Sequence, residues 1–458
     1  MLKQLILETL LNLIKFNDKN CYPKKKIKSF NKIICVDSDK SLSIRSLLIS
    51  SQSYGKCSIK NLSKSGDVIS AIEGLKKLGV KIKFIDKHCY VYGMGLNGFD
   101  YKKNITVNAG NSGTFARLLF GLLAHSPYEV KITGDNSLSK RDFLRIITPL
   151  EEFGARFKKG NNNGLPLKII GSEFLKPIYY HEEKGSAQCK SSVILAALNT
   201  PGKTIIKAKK SRNHTELFLN FLKLPIKINK KKKYDIIEII GKKQFKSFEY
   251  FVPGDVSSSA FFIVLTLLSE NSKLKIKDVN INPSRIGFIT IINRMGGKIK
   301  FTNKRNICGE IVADICVKSQ KKFKSINCPI GLNSNAIDEF LIIFLLAAKA
   351  SGVSRFRKLE ELNKKESPRL KLASKILRKM GVKIKSGKGS IDIFGNPNLI
   401  IKKQILINNY RKDHRIFMTS VVASLCFGGK WIIEDVESHK SSFPSFLRIL
   451  GEIGYKFR

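Results

Sequence analysis

The sequence predicts an α/β protein built as two pseudo-symmetric domains of three units each, and three observations carry that prediction. The chain has 458 residues, 43% of them hydrophobic, which is more than one core accommodates and enough for two or three domains that each bury their own. An amphipathic helix that runs into glycine and then into a short basic strand recurs six times, the mark of a unit copied along the chain. The copies are spaced by roughly 70 to 85 residues, three on each side of a candidate linker near residues 252–254, so each unit holds several strands and at least two helices.

In chain order the copies read AIEGLKKLGVKIKF (71–84), LRIITPLEEFGARFKK (144–159), ELFLNFLKLPIKINK (216–230), ITIINRMGGKIKF (289–301), SKILRKMGVKIKS (374–386) and FLRILGEIGYKFR (446–458). Glycine supplies the left-handed residue that ends the helix, and the third copy has Leu-Pro in its place. Val or Ile alternating with Lys predicts a strand with one face buried and one solvated. The same succession is also common in α/β proteins without internal repeats. Residues 1–28 lie outside the pattern as an N-terminal extension. Its start, MLKQLILETLLNLIKF, reads as an amphipathic helix rather than a signal peptide, because Glu8 interrupts the apolar stretch and no small-residue cleavage site follows. The lysine-rich stretch 23–28 reads as a linker.

Composition narrows the class further. The longest apolar runs, such as 260–268 and 341–348, fall well short of the ~20 residues that span a bilayer. No transmembrane helix is expected, and the protein is placed in the cytoplasm. Nine cysteines, odd in number, scattered and never in C-x-x-C spacing, argue against a disulfide framework and against a zinc site. Reduced, mostly buried thiols are expected. A formal charge of +47 points either to nucleic acid or an anionic membrane as partner, or to a lysine-rich composition that covers solvated faces. A cleft of positive potential would also attract small substrates bearing phosphates and carboxylates.

Polar clusters interrupt the apolar pattern, usually just before a helix, where unpaired N–H groups and the positive dipole end favour anions. Ser38-Asp39-Lys40-Ser41 precedes LSIRSLLISS, so that Ser41 caps the helix while Lys40 and Arg45 extend toward an anion. Asn111-Ser112-Gly113-Thr114 opens FARLLFGLLA, with a glycine that lets a ligand approach the backbone. Lys140-Arg141 is a fork for a carboxylate, and Ser186-Ala187-Gln188 offers a hydroxyl and an amide before CKSSVILAAL. Asp338-Glu339 introduces the apolar FLIIFLLAA, where burial would raise a carboxylate pKa toward neutrality. Lys364-Lys365-Glu366 with Arg369, and Asp413-His414-Arg415, each set an acid among cations. Taken singly, each cluster is explained as well or better as a helix cap or a surface charge group. Taken together, they suggest an anionic ligand held between two domains.

The ordered set DKSLSIR (39–45), NSGT (111–114), KR (140–141), SAQCK (186–190), RNHTE (212–216), GDVSSSA (254–260), DE (338–339), KES (365–367), DHR (413–415) and SFP (442–444) resembles the 5-enolpyruvylshikimate-3-phosphate synthases, from about residue 36 to the C-terminus. SAQCK and RNHTE look most like the class II branch, whereas NPSR (282–285) has serine where that branch shows threonine. The resemblance implies two inside-out α/β barrel-like domains, each of three βαβαββ repeats, joined by two crossings. The lower domain would comprise 29–37 plus 254–458, and the upper 38–253. It implies transfer of the enolpyruvyl group of phosphoenolpyruvate to the 5-hydroxyl of shikimate 3-phosphate, on the shikimate pathway to chorismate and the aromatic amino acids. The implied enzyme is a monomer that needs no metal or organic cofactor and binds no nucleic acid or membrane.

By position, Lys40, Gly113, Thr114, Arg141, Gln188, Arg369 and Arg415 would bind phosphoenolpyruvate. Lys40, Ser41, Arg45, Ser186, Ala187, Gln188, Arg212, Asp338 and Lys365 would hold shikimate 3-phosphate. Asp338 would take the proton of the attacking hydroxyl, and Glu366, assisted by Lys40, would protonate the methylene carbon. Several positions depart from the family pattern or bear on it. Asp142 stands where proline usually follows the arginine and is expected to weaken anion binding at Arg141; Pro368 replaces an aspartate. Lys440 lies one place too early before Ser442-Phe443-Pro444, and Gly113, where alanine is the alternative, implies ordinary sensitivity to glyphosate. The UDP-N-acetylglucosamine enolpyruvyl transferases share the fold but typically use asparagine after the first lysine and a catalytic loop cysteine, which Ser41 and the scattered cysteines do not match. A basic nucleic-acid-binding scaffold would leave the acid clusters unexplained, and an inactive relative would account for Asp142 and Pro368.

Overall fold

The computed structural model describes residues 20–21, 29–86, 88–158, 160 and 163–455. The helix expected over the first 16 residues, the linker at 23–28 and the strand residues 456–458 lie outside them. Among the described residues no helix is long and apolar enough to cross a membrane.

Among the described residues six small sheets surround buried helices. Four sheets follow one plan. In one of them Lys203–Lys209 pairs in parallel with Tyr179–Glu182 and antiparallel with Tyr234–Ile240, which pairs antiparallel with Ile226–Lys230. The sheets around Tyr54–Lys60, Val130–Thr133 and Lys273–Asn280 repeat this order. In the fifth, the parallel partner is reduced to the bridges Lys324–Ser351 and Asn327–Arg355. In the sixth, Lys430–Glu434 pairs in parallel with Gln404–Ile407 and antiparallel with Asn20–Cys21, so the extension read as lying outside the pattern contributes two residues to a sheet.

Five of the repeat helices end at Gly79, Gly154, Gly296, Gly381 and Gly454, with φ between +82° and +118°. In the Leu-Pro copy Lys223 takes the left-handed position instead, at φ +55°. The basic strands that follow correct the expectation of one buried face. Among the five described only Ile82 is buried, because each is the outermost strand of its sheet. Lysines on such an edge keep it from pairing with another chain.

Buried apolar side chains form two clusters, one from Leu42 to Val252, the other from Cys21, Phe30, Ile34 and Val36 together with Val256 to Tyr455. Six helices are buried on nearly every side and so lie inside a domain. Lys40–Ser51, Gly113–Leu123 and Ala187–Leu198 do so in the first cluster, and Val256–Leu268, Phe340–Lys349 and His414–Phe427 in the second. The chain crosses between clusters twice. Asn31–Ile34 lies parallel to Lys273–Asn280, while Glu249–Phe251 lies parallel to Tyr54–Lys60. The segment read as a linker at 252–254 is therefore a buried crossing. Its backbone bonds to the other crossing, Asp39 N to Pro253 O at 2.7 Å and Asp255 N to Asp37 O at 2.9 Å.

Candidate active site

The first residues of the central helices meet between the two clusters. Asp39, not Ser41, caps the first helix, accepting from Leu42 N at 2.9 Å, because it is the last residue with non-helical backbone. Lys40 Nζ lies 2.8 Å from Asp67. Ser41 gives its carbonyl to Arg45 Nη1 at 3.0 Å. Arg45 is buried, bonds Thr215 Oγ1 at 2.9 Å and Ser191 Oγ at 3.2 Å, and has its pKa lowered to about 10 by burial. On the second helix Thr114 Oγ1 accepts from Gln188 Nε2 at 3.0 Å. Ser186 caps the third, accepting from Cys189 N at 3.3 Å, so Ala187 and Gln188 form its first turn.

Arg117 was missed in the sequence. It stands four residues after Gly113 on the same helix, a spacing that puts both on one face. Its Nη1 donates to Gln188 Oε1 at 2.7 Å and its Nη2 to Asp142 O at 3.3 Å. Burial, with Arg141 adding repulsion, brings its pKa to about 10.

Two acids of the second half of the chain, Asp338 and Glu366, are each met by cations from both halves. Asp338 receives Arg212 Nη2 at 2.5 Å from the first, and Lys365 Nζ at 3.3 Å and Arg369 Nη1 at 3.4 Å from its own. Arg415 Nη1 binds its carbonyl at 2.7 Å. Glu366 pairs with Arg369 Nη2 and stands 3.6 Å from Arg141 Nη2. Burial alone would raise both carboxyls, as expected for Asp338 from its apolar helix. Lys365, Arg212, Arg415 and Arg369 instead hold Asp338, and Arg369 and Arg141 hold Glu366, well below the usual carboxylate range. Arg141, Arg212, Asp338, Lys365, Glu366, Arg369 and Arg415 are thus brought together, whereas Lys40 pairs with Asp67 and Arg45 with Ser191 and Thr215.

The departures resolve in part. Asp142 is exposed and turned to its own helix start, accepting from Leu144 N at 2.8 Å, so it does not compete for Arg141. Pro368 caps the helix Arg369–Lys379 without a carboxylate, and Asp413 supplies one to Arg369, at 2.8 Å from Nε and 3.2 Å from Nη2. Lys440 pairs with Glu437 at 2.5 Å. Ser441, directly before Ser442-Phe443-Pro444, has its Oγ 3.4 Å from His414 Nδ1.

His414 is buried, and desolvation, with Lys40 opposing its charge, pushes its pKa down to about 3 from 6.5. Between those values the unfolded chain binds a proton that the folded one refuses, so stability falls as pH drops below ~6.5. The depressed carboxylates act in a lower window. Their contribution is complete above ~4 and is lost as pH falls through the folded pKa. The melting temperature is therefore expected to fall between pH 7 and pH 5, and to fall less in His414→Gln. Equal losses in the two proteins, followed by scanning calorimetry, would remove His414 as the cause.

Two half-buried carboxylates, each met by cations from both halves, stand in a chain whose fold is that of the enolpyruvyl transferases. The solved enolpyruvyl transferase NikO from Streptomyces tendae shares the fold, with a TM-score of 0.73 at 11% identity over 96% of this chain and 98% of its own. The family model described as EPSP synthase (3-phosphoshikimate 1-carboxyvinyltransferase) matches residues 24–450, and the chain belongs to that family. The 3-phosphoshikimate 1-carboxyvinyltransferase of Ruthia magnifica is 38% identical over 94% of this chain and 97% of its own. That of Thermoanaerobacter sp. strain X514 is 39% identical over 93% and 98%. The EPSP synthase structure from Acinetobacter baumannii superposes with a TM-score of 0.83, at 30% identity over 96% of this chain and 99% of its own.

Proposed function

We propose that this chain carries out its family's reaction in the cleft described above, transferring the enolpyruvyl group of phosphoenolpyruvate to the 5-hydroxyl of shikimate 3-phosphate and releasing phosphate. The observation that carries the assignment is the pair Asp338 and Glu366, bridged by one guanidinium, Arg369, and each met by an arginine from the opposite cluster. Ser41, Arg45, Ser186, Ala187, Gln188, Arg212 and Lys365 hold shikimate 3-phosphate. Lys40, Gly113, Thr114, Arg141, Gln188, Arg369 and Arg415 hold phosphoenolpyruvate, with Arg117 fixing Gln188.

Asp338 takes the proton as the 5-oxygen bonds to C2, and Glu366, assisted by Lys40, delivers a proton to C3. Glu366 then recovers that proton as the C2–O bond to phosphate breaks. A proton donor must first be protonated, and Glu366 is a carboxylate in the unliganded protein. Phosphoenolpyruvate supplies the change. Its anionic groups draw Arg141 and Arg369 away from Glu366 and add negative charge beside it, both of which raise its pKa. Asp338 keeps Lys365 and Arg212 and stays a base.

The lower domain (29–37 plus 254–458) and the upper (38–253) close on the substrates, a division supported by the two separate apolar clusters. The protein works as a monomer in the cytoplasm; light scattering at a mass other than 51.5 kDa would refute the first. The assignment is tested by phosphate release. Release should require both substrates and disappear in Glu366→Gln, whereas release in that variant at the natural rate would remove Glu366 from the mechanism.

A Cβ added at Gly113 would lie 2.8 Å from Arg141 Nη1 and 3.4 Å from Arg117 Nη1. These are ends of flexible side chains, so the fold tolerates Gly113→Ala while Arg141 is displaced. Loss of one charge-assisted bond, ~1.5–3 kcal/mol, predicts a KM for phosphoenolpyruvate raised about 10- to 100-fold with kcat little changed. An unaltered KM would show that Arg141 does not contact this substrate.

A further inference from the structure

One buried guanidinium outside the substrate groups ties the two crossings together. Arg285, 3% exposed, follows the strand Lys273–Asn280 of the second cluster. Its Nη1 donates to Asp39 at 3.2 Å, and its Nη2 to Asp255 at 3.4 Å and Ser257 Oγ at 2.7 Å. Asp39 and Asp255 cap the helices that begin where the chain has just crossed, bonding Leu42 N at 2.9 Å and Ser257 N at 2.7 Å. The first of these helices opens with Lys40. From the second, Ser257 Oγ donates to Glu339 at 2.5 Å, beside Asp338 in the chain and 3.7 Å from Arg415.

Arg285 also reaches the opposite domain directly. Its Nη1 lies 3.3 Å from His214 Nε2, and His214 Nδ1 lies 2.6 Å from Glu310. An arginine only donates, so Nε2 is the acceptor and Nδ1 carries the proton toward Glu310. Glu310 in turn accepts from the Asn280 and Asn282 amides, each at 3.0 Å, and Asn282 donates to Asn213 at 3.0 Å. Asn213 and His214 directly follow Arg212, which holds Asp338.

We propose that Arg285 is a positioning residue for the transfer, a clamp that fixes the angle between the two crossings so that Lys40 and Asp338 face the same ligand. Rotation of one domain on the other moves Asp39 against Asp255 and stretches the bonds of Nη1 and Nη2 together. A buried cation among carboxylates adds little net stability over an apolar core, so its contribution is to geometry. The effect on rate rests on the roles given above to Lys40 and Asp338; the effect on shape does not.

Arg285→Met alone strands two buried carboxylates. The triple variant Asp39→Asn, Asp255→Asn, Arg285→Met removes all three charges while asparagine preserves both caps. Kinetics and small-angle X-ray scattering with both substrates at equilibrium test the clamp. A triple variant that still melts cooperatively is expected to lose about 100-fold in kcat, as small misplacements do. Its KM for shikimate 3-phosphate, held mainly by the upper domain, should change by less than about twofold, and its radius of gyration with substrates should exceed that of the natural chain. Arg285→Lys, which keeps the charge but not the fork, should fall between them. It carries the same test if the triple variant does not fold. A liganded radius of gyration equal to the natural one overturns the clamp whatever the rate does. A larger radius with undiminished kcat leaves the clamp standing and overturns the roles of Lys40 and Asp338.

Discussion

Asp338→Asn is expected to lower kcat by about 10²- to 10⁴-fold, the contribution of a positioned general base, with the KM for shikimate 3-phosphate rising less. The substitution keeps the volume and one hydrogen-bonding oxygen while removing both the base and the charge. Arg212, Lys365 and Arg369 then lose the anion they share. In the proposed binding mode shikimate 3-phosphate restores negative charge near them, so the deficit appears in the chemical step more than in affinity. Because those cations hold the carboxyl well below its ordinary range, Asp338 is a carboxylate throughout the working pH range. The acid limb of kcat/KM should therefore not report its titration above pH ~4. Single-turnover rates for the two proteins decide the matter. A loss under about tenfold would assign the proton to another acceptor.

The repeat and the helix starts were legible in the sequence because both are local in the chain. A helix that ends at Gly79 and runs into Lys81–Ile85 is written in consecutive residues, as are caps such as Ser186. Electrostatics was not legible, since it depends on pairs far apart in sequence. The apolar helix after Asp338 argued for a raised pKa, and Arg212, 126 residues away, is one of the groups that reverses it. Asp142 looked like a competitor for Arg141 because it is adjacent in sequence, yet its carboxylate faces Leu144 N. Arg117 went unnoticed for the opposite reason, its neighbourhood to Gly113 being helical rather than sequential. The alternation of the basic strands was real, but whether a strand lies at a sheet edge is decided by which sheet it joins.

Arg369→Met is expected to remove both stability and activity. The side chain is 2% exposed and serves Asp413 through Nε and Nη2, Glu366 through Nη2 and Asp338 through Nη1. Its removal leaves three acids close together without their shared cation. Breaking one side of a buried ion pair costs ~3–5 kcal/mol, which for a domain of this size lowers Tm by ~6–20 °C. Arg369→Lys keeps one charge but cannot bond Asp413 at two atoms, so its Tm should fall between the two. The losses should also separate. Adding Asp413→Asn to Arg369→Met removes the acid left most deeply buried and is expected to recover part of the lost Tm, a coupling measurable by a double-mutant cycle. It should recover none of the transferase activity, because Glu366 would still lack the arginine that phosphoenolpyruvate shares with it. Recovery of both together would mean that Arg369 acts only by holding the loop of Asp413. Recovery of neither would place its main partner at Glu366 or Asp338 instead.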